Sequence, residues 1–156
     1  MQWTGGLRSV VSVVMLTAVV GAGCSSIQSS ATPPSQPIDL TGTWRGNFAV
    51  QAVTSEMVWT LTQSGSSVSG PVLVRLPNGV VLLNGFLTGT LSGSSLAYTI
   101  SVGQQGIPTQ PACAGQLGGT MTARTGTTST LTGGYTVTST TCTPPFASSG
   151  DLLLTR

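Results

Sequence analysis

The chain has 156 residues, which suits one folded domain, and only 5% of them are charged. Its formal net charge is +2, it contains neither histidine nor lysine, and its arginines are scattered, so it lacks the basic patch that nucleic-acid binding requires. The chain therefore also lacks histidine and lysine, the side chains that most often act as bases in nucleophilic catalysis.

The first segment has the order of a secretory signal peptide. Arg8 supplies a positive charge, an apolar run covers residues 10–20, and small residues follow up to Gly23. The apolar run is shorter than the about 20 residues that a spanning helix needs. We predict a signal peptide over residues 1–23, with an uncleaved membrane anchor as the alternative.

A single cysteine follows this leader. Ala22-Gly23-Cys24 resembles the lipobox of bacterial lipoproteins, in which signal peptidase II cuts before a cysteine that then carries lipid. The resemblance implies acylation of Cys24, with palmitate as a candidate acyl group, and Ser25 implies sorting to the outer membrane. The number of cysteines is consistent with this lipidation. An exported chain with three cysteines has one left over, Cys24, if Cys113 and Cys142 form a disulfide. The alternative is ordinary cleavage that leaves a free thiol.

The segment that follows has no apolar periodicity and contains three prolines in "SSIQSSATPPSQP". Such a composition buries too little apolar surface to fold. We therefore predict that residues 24–38 form the lipidated terminus and a flexible, disordered tether.

From residue 39 onward the apolar residues alternate with polar ones. In "EMVWTLTQ", Met57, Trp59 and Leu61 fall on one face, as in a half-buried strand. Turn signals separate such segments, and Asn78-Gly79 predicts a type I′ hairpin turn. The segmentation predicts eight strands, near residues 42–51, 55–63, 66–75, 79–91, 94–102, 115–123, 128–139 and 148–156. We predict an all-β domain over residues 39–156 that forms an eight-stranded antiparallel up-and-down barrel, with a β-sandwich as the alternative.

The predicted up-and-down order of the strands also predicts where the two remaining cysteines lie. Alternate connections of an up-and-down barrel emerge at the same end, so Cys113 after the fifth strand and Cys142 after the seventh share a rim. We predict a disulfide between them, in the oxidising compartment that export implies.

The two ends of this domain carry a family likeness. Gly42-Thr43-Trp44 opens the first strand in "LTGTWRGNF", and Arg156 closes the last. This pattern resembles the calycins, which include lipocalins, fatty-acid-binding proteins and avidins, and the opening looks most like avidins. The resemblance implies that Trp44 and Arg156 pair at a closed barrel base, with the guanidinium stacked on the indole. An unrelated core tryptophan and terminal arginine are the alternative. The avidin biotin site has no counterpart in this sequence.

The remaining ionisable groups offer little chemistry. The carboxylates Asp39, Glu56 and Asp151 are scattered along the domain and are more typical of solvated surface than of a catalytic pair or a metal site. We expect no catalytic residues, no cofactor and no metal, and therefore no enzyme.

The residues expected to face the barrel interior are apolar and aromatic. They are Trp44, Phe48, Val50, Met57, Trp59, Leu61, Val72, Val74, Leu83, Leu96, Tyr98, Ile100, Leu117, Met121, Tyr135, Val137, Leu152 and Leu154. If a cavity exists, its candidate ligand-lining residues are Met57, Trp59, Tyr98, Met121 and Tyr135. The alternative is that these side chains only pack the core.

Two functions are consistent with these patterns. The first is an envelope-anchored, non-enzymatic lipoprotein whose barrel binds a small apolar ligand at the disulfide rim. The second is a structural or protein-interaction module with a filled barrel, which Val80, Leu82 and Phe86 favour because they form an outward apolar stripe. The partners expected are thus the membrane, a small apolar ligand and an envelope protein.

Overall fold

The computed structural model describes residues 37–50, 53–143 and 148–156. The predicted signal peptide, Cys24 and nearly all of the predicted tether lie outside the described residues. The described residues form eight strands: β1 (Gly42–Val50), β2 (Val53–Ser64), β3 (Ser67–Arg75), β4 (Val81–Ser92), β5 (Ser95–Val102), β6 (Gly115–Arg124), β7 (Thr130–Thr140) and β8 (Ser149–Thr155).

Every strand pairs antiparallel with its neighbours in the chain, and β8 pairs with β1 to close a barrel. The predicted all-β, eight-stranded up-and-down barrel is therefore confirmed, and the two-sheet sandwich is not the fold. Each strand begins and ends within about two residues of its predicted position, because alternation and turn residues mark both limits. Within the described ranges, no helix is long and apolar enough to span a membrane.

The closing seam between β1 and β8 is the shortest pairing of the barrel. It contains two partner pairs, Arg45 with Thr155 and Gly46 with Leu154. A Cβ atom on Gly46 would lie 2.2 Å from the backbone oxygen of Leu153 and 2.6 Å from a methyl of Leu154. Gly46 thus permits the close backbone approach that shuts the barrel.

The hairpin between β3 and β4 differs from the predicted type I′ turn. Gly79 has a φ of +87°, but Asn78 does not have the positive φ that a type I′ turn also requires. The amide of Gly79 donates to the carbonyl of Leu76, and the amide of Leu76 donates to the carbonyl of Val80. The proline at position 77 fixes φ near −65°, which suits the first central residue of a type I turn. The result is a three-residue loop with Gly79 last, and β4 therefore begins later than predicted.

The core consists mainly of the inward residues of all eight strands. Of the predicted inward-facing residues whose side chains are described, Leu117 and Val137 are half-buried and all others are buried. Alternation therefore identified the inner face of each strand correctly. Seven further aliphatic residues are buried that were not in the predicted set: Leu40, Val68, Leu87, Val102, Ile107, Ala123 and Leu131.

The end of the barrel where Leu40, Trp44 and Arg156 meet, called the base below, is tightly filled. The indole nitrogen of Trp44 donates to the carbonyl of Leu40 at 2.8 Å, and the Arg156 guanidinium carbon lies 4.8 Å from the Trp44 ring centroid. Arg156 also donates to the backbone carbonyls of Asp39 and Thr41. The guanidinium therefore stacks on the indole and ties the last residue to the segment that precedes β1.

Candidate functional site at the barrel mouth

A cavity opens at the other end of the barrel, called the mouth below, where the β5–β6 and β7–β8 connections lie. Its volume is about 300 Å³. The inner wall is apolar and consists of Phe48, Met57, Val72, Leu83, Ile100, Val102, Ile107, Leu117, Tyr135 and Val137. The outer edge is polar and includes Gln116, Ser139, Thr140, Cys142, Thr143 and Ser148. An apolar chamber with a few polar groups at its opening is typical of a small-molecule site.

The five predicted ligand-lining residues lie at two depths. Met57 and Tyr135 line the cavity. Trp59, Tyr98 and Met121 face the same interior but are buried and are not among the lining residues. They belong to the packed core that lies further from the mouth.

Trp59 and Tyr98 form an aromatic layer beneath the cavity. Their ring centroids are 5.1 Å apart, and Val72, a wall residue, is the strand partner of Trp59. Tyr98 lies between two glycine strand partners, Gly89 on β4 and Gly119 on β6. A Cβ atom on Gly89 would lie 3.2 Å from the Cβ of Tyr98, and one on Gly119 would lie 2.1 Å from the backbone oxygen of Gly134.

The hydroxyl of Tyr98 is satisfied within this layer. It donates to the carbonyl of Gly134 at 3.0 Å. Burial, with a smaller contribution from Tyr135, raises the pKa of Tyr98 well above its usual range. The phenol is therefore neutral at ordinary pH and acts as a structural hydrogen-bond donor.

Tyr135 forms part of the cavity wall itself. Its ring centroid lies 5.4 Å from that of Phe48, and its strand partner on β8 is Gly150. A Cβ atom on Gly150 would lie 2.9 Å from the Tyr135 ring, so the glycine lets the ring lie back against β8. Burial raises the pKa of Tyr135 as well. The pair Tyr135 and Gly150 thus keeps this side of the cavity open.

The mouth is held by a cross-link between its two longest connections. Cys113 and Cys142 form a disulfide with their Cα atoms 4.8 Å apart. Beside it, the side-chain amide of Gln110 donates to the carbonyl of Thr143 at 2.9 Å and accepts from the amide of Thr143 at 2.8 Å. These bonds join residues 110–113 of the β5–β6 connection to residues 142–143.

The β5–β6 connection also covers part of the cavity. Ile107 is 3% exposed and lines the cavity, and the amide of Asn84 on β4 donates to the carbonyl of Gly106 at 2.6 Å. Ile107 is not among the predicted ligand-lining residues, because it lies outside any alternating segment. Its only sequence signal is an isolated apolar residue in the polar run "GQQGIPTQPAC".

The charged groups near this half of the barrel point outward. Glu56 lies between Arg45 and Arg75 on the outer face, with ion-pair distances of 2.7 Å and 2.6 Å. Hydrogen bonds from Arg75 and then from Arg45 lower the pKa of Glu56. No charged residue is among the lining residues of the cavity within the described part of the chain.

The predicted outward apolar stripe is only partly exposed. Of the residues in this stripe, Val80 and Phe86 are 51% and 50% exposed, whereas Leu82 is half-buried against the core.

Among the described residues there is no group of three or more histidine, cysteine, aspartate or glutamate side chains that could hold a metal ion.

Comparison with known proteins adds no relative. No family model, curated protein or solved structure matches this chain. The resemblances to bacterial lipoproteins and to calycins therefore rest on the short motifs at Cys24, Trp44 and Arg156.

Proposed function

We propose that this protein is an envelope-anchored, non-enzymatic lipoprotein whose barrel binds a small apolar molecule at its mouth. The observation that carries the proposal is the apolar cavity of about 300 Å³, which opens beside the Cys113–Cys142 disulfide. Eight-stranded barrels are just wide enough to hold one small ligand when side chains do not fill them. The apolar wall supplies affinity, and the polar edge supplies orientation.

Purification of the full chain from its native envelope tests the binding part. We expect native mass spectrometry and solvent extraction to recover an apolar small molecule. Val137→Phe places a larger ring in the cavity and should abolish this recovery. Leu153→Phe, at an outward position of β8 that is 55% exposed, is the matched control and should retain it. The binding proposal would be wrong if no bound molecule is recovered and apolar probes also fail to bind.

The anchoring part of the proposal rests on the sequence alone. Ala22-Gly23-Cys24 supports acylation of Cys24, and Ser25 supports sorting to the outer membrane of the bacterial envelope. We expect Cys24→Ala to abolish incorporation of radiolabelled palmitate and to release the protein from membranes. Ser26→Ala is the matched control, since it changes a nearby residue and leaves Cys24 and the disulfide intact. Labelling that persists in Cys24→Ala would overturn this assignment.

A second candidate function is a protein-interaction module of the envelope. Phe86 favours it, because half of this large apolar side chain is exposed on the outer face of β4. Site-specific crosslinking from position 86 in the native envelope should then capture one protein partner. Crosslinking from Thr122, on the outer face of β6, is the control. Absence of any product specific to position 86 would remove this candidate.

A further inference from the structure

The placement of charge decides what kind of ligand the cavity accepts. The described domain contains four arginines. Arg45 and Arg75 are on the outer face and pair with Glu56, Arg156 is at the base, and Arg124 is exposed at the end of β6 that is remote from the mouth. The sequence has no lysine or histidine, and residues 51–52 and 144–147, which lie between the described ranges, contain no ionisable side chain. The domain therefore has no cation to pair with an anionic ligand inside its mouth.

Because the wall of the cavity is apolar, an ion that enters without a charged partner loses free energy of hydration that nothing replaces. An ionised carboxylate or ammonium that leaves water for an apolar chamber loses its hydration, and without a partner the cost is large. The polar groups at the edge are neutral. The amide of Gln116 and the hydroxyl of Ser139, for example, belong to strand partners on β6 and β7. Such groups exchange hydrogen bonds with a hydroxyl, an ether or an amide, but they do not neutralise an ion.

The volume of the cavity sets the size of the ligand. An apolar protein cavity of about 150 Å³ holds one benzene molecule, so a cavity of twice that volume suits about ten to twelve non-hydrogen atoms. A molecule of this size fits the cavity with its end group at the polar edge. A charged end group would therefore lie against neutral protein groups and an apolar wall, with no counter-ion among the lining residues.

We propose that the cavity selects uncharged, mainly apolar molecules with a single hydrogen-bonding end group and rejects carboxylates and amines of the same chain length. This inference rests on the proposed binding function and specifies its ligand class. The end group lies at the edge near Gln116 and Ser139, and the apolar part extends inward toward Val72, above Trp59.

Three probes with one chain length test the inference. Isothermal titration of the full chain at pH 7 with 1-decanol, decanoate and decylammonium compares a neutral, an anionic and a cationic end group. We expect 1-decanol to bind at least tenfold more tightly than either ion. If none of the three binds, the binding function itself is wrong. If 1-decanol binds and decanoate binds equally well, the binding function stands and the selection for neutral ligands is wrong.

A gain of function provides the second test. Gln116→Arg places a cation at the edge of the cavity and should raise the affinity for decanoate at least tenfold while leaving that for decylammonium weak. Thr122→Arg adds the same charge to an exposed position of the same strand, away from the mouth, and should change neither. An equal gain for both variants would show that net charge, and not the cavity, controls the binding of decanoate and would overturn the inference.

Discussion

At the base of the barrel, Trp44 fills the interior, and Gln63 and Arg156 bind the segment that precedes β1, whereas at the mouth the described residues surround a cavity. Gln63 joins this end by accepting from the amide of Leu40 at 2.9 Å and donating to the carbonyl of Ile38 at 3.1 Å. The mouth instead depends on a disulfide and on the hydrogen bonds that join Gln110 to Thr143 and Thr141 to Ala114. The base is therefore held by side-chain packing and hydrogen bonds, whereas the mouth is held by a covalent cross-link beside a cavity.

The largest expected effect is at the base. Trp44→Ala removes a completely buried indole together with its hydrogen bond and its contact with Arg156, and should lower the free energy of unfolding by about 3 to 5 kcal/mol. Leu117→Ala at the mouth should cost only about 1 kcal/mol, since this half-buried side chain already borders a cavity. Urea unfolding followed by circular dichroism measures both. Equal losses would contradict the contrast between base and mouth.

The disulfide should have the next largest effect. Replacing both Cys113 and Cys142 by alanine should lower the free energy of unfolding by about 3 to 4 kcal/mol, because the bond closes a loop with a sequence separation of 29 residues. Denaturant unfolding with and without reductant measures this change. The reductant should destabilise the wild type and leave the double variant unaffected. A double variant as stable as the wild type would mean that the hydrogen bonds of Gln110 with Thr143 and of Thr141 with Ala114 suffice to hold the mouth.

Substitutions at Gly46 and Gly150 should distinguish the closure of the barrel between β1 and β8 from the binding of a ligand at the mouth. Gly46→Ala forces a methyl group against the β8 backbone and should cost about 3 kcal/mol, at the upper end for overpacking. Gly150→Ala meets the side chain of Tyr135, which can move into the cavity, and should cost about 1 kcal/mol. Binding of 1-decanol, measured by titration, should weaken in Gly150→Ala. Unchanged binding in that variant would show that Tyr135 does not shape the site.

Tyr98 should give the smallest effect and a distinct pH dependence. Burial raises the pKa of Tyr98, so the native state holds the phenol proton more tightly than the unfolded chain does. The resulting stabilisation is fully present below the ordinary tyrosine pKa of 10.0 and declines as the pH rises above it.

Tyr98→Phe should cost about 1 kcal/mol at pH 7 through the lost hydrogen bond to Gly134 and should reduce the decline above pH 10. Thermal unfolding between pH 7 and pH 11 measures both effects. Tyr135→Phe, which alters the cavity wall, is the comparison and should change the alkaline decline less. An identical decline in wild type and Tyr98→Phe would contradict the role assigned to Tyr98.

Much of the fold could be predicted from local patterns. In β5 the sequence "SLAYTISV" alternates so regularly that its buried residues Leu96, Tyr98 and Ile100 follow from period two alone. The β3–β4 turn could not be predicted as well, since Pro77 and Asn78-Gly79 favour different turn types and the proline determines the outcome.

The site was less accessible to sequence reasoning than the fold. Period two shows that Met57 and Trp59 both face inward, but it does not show that one borders the cavity and the other lies beneath it. Leu117 follows a register shift between β6 and β7, and this local irregularity helps set its position at the cavity. Ile107 reaches the cavity from a long connection, and no periodic pattern applies there.

The sequence by itself thus determined the eight strands, the inner face of each strand, the pairing of Cys113 with Cys142 and the absence of lysine and histidine from any site. Only the tertiary structure decided that Tyr98 reaches Gly134, that Trp59 lies beneath the cavity and that Ile107 lines it. The physical reason is that side-chain alternation is a local property of a strand, whereas depth within a barrel depends on the stagger of all eight strands and on the connections that fold over its end.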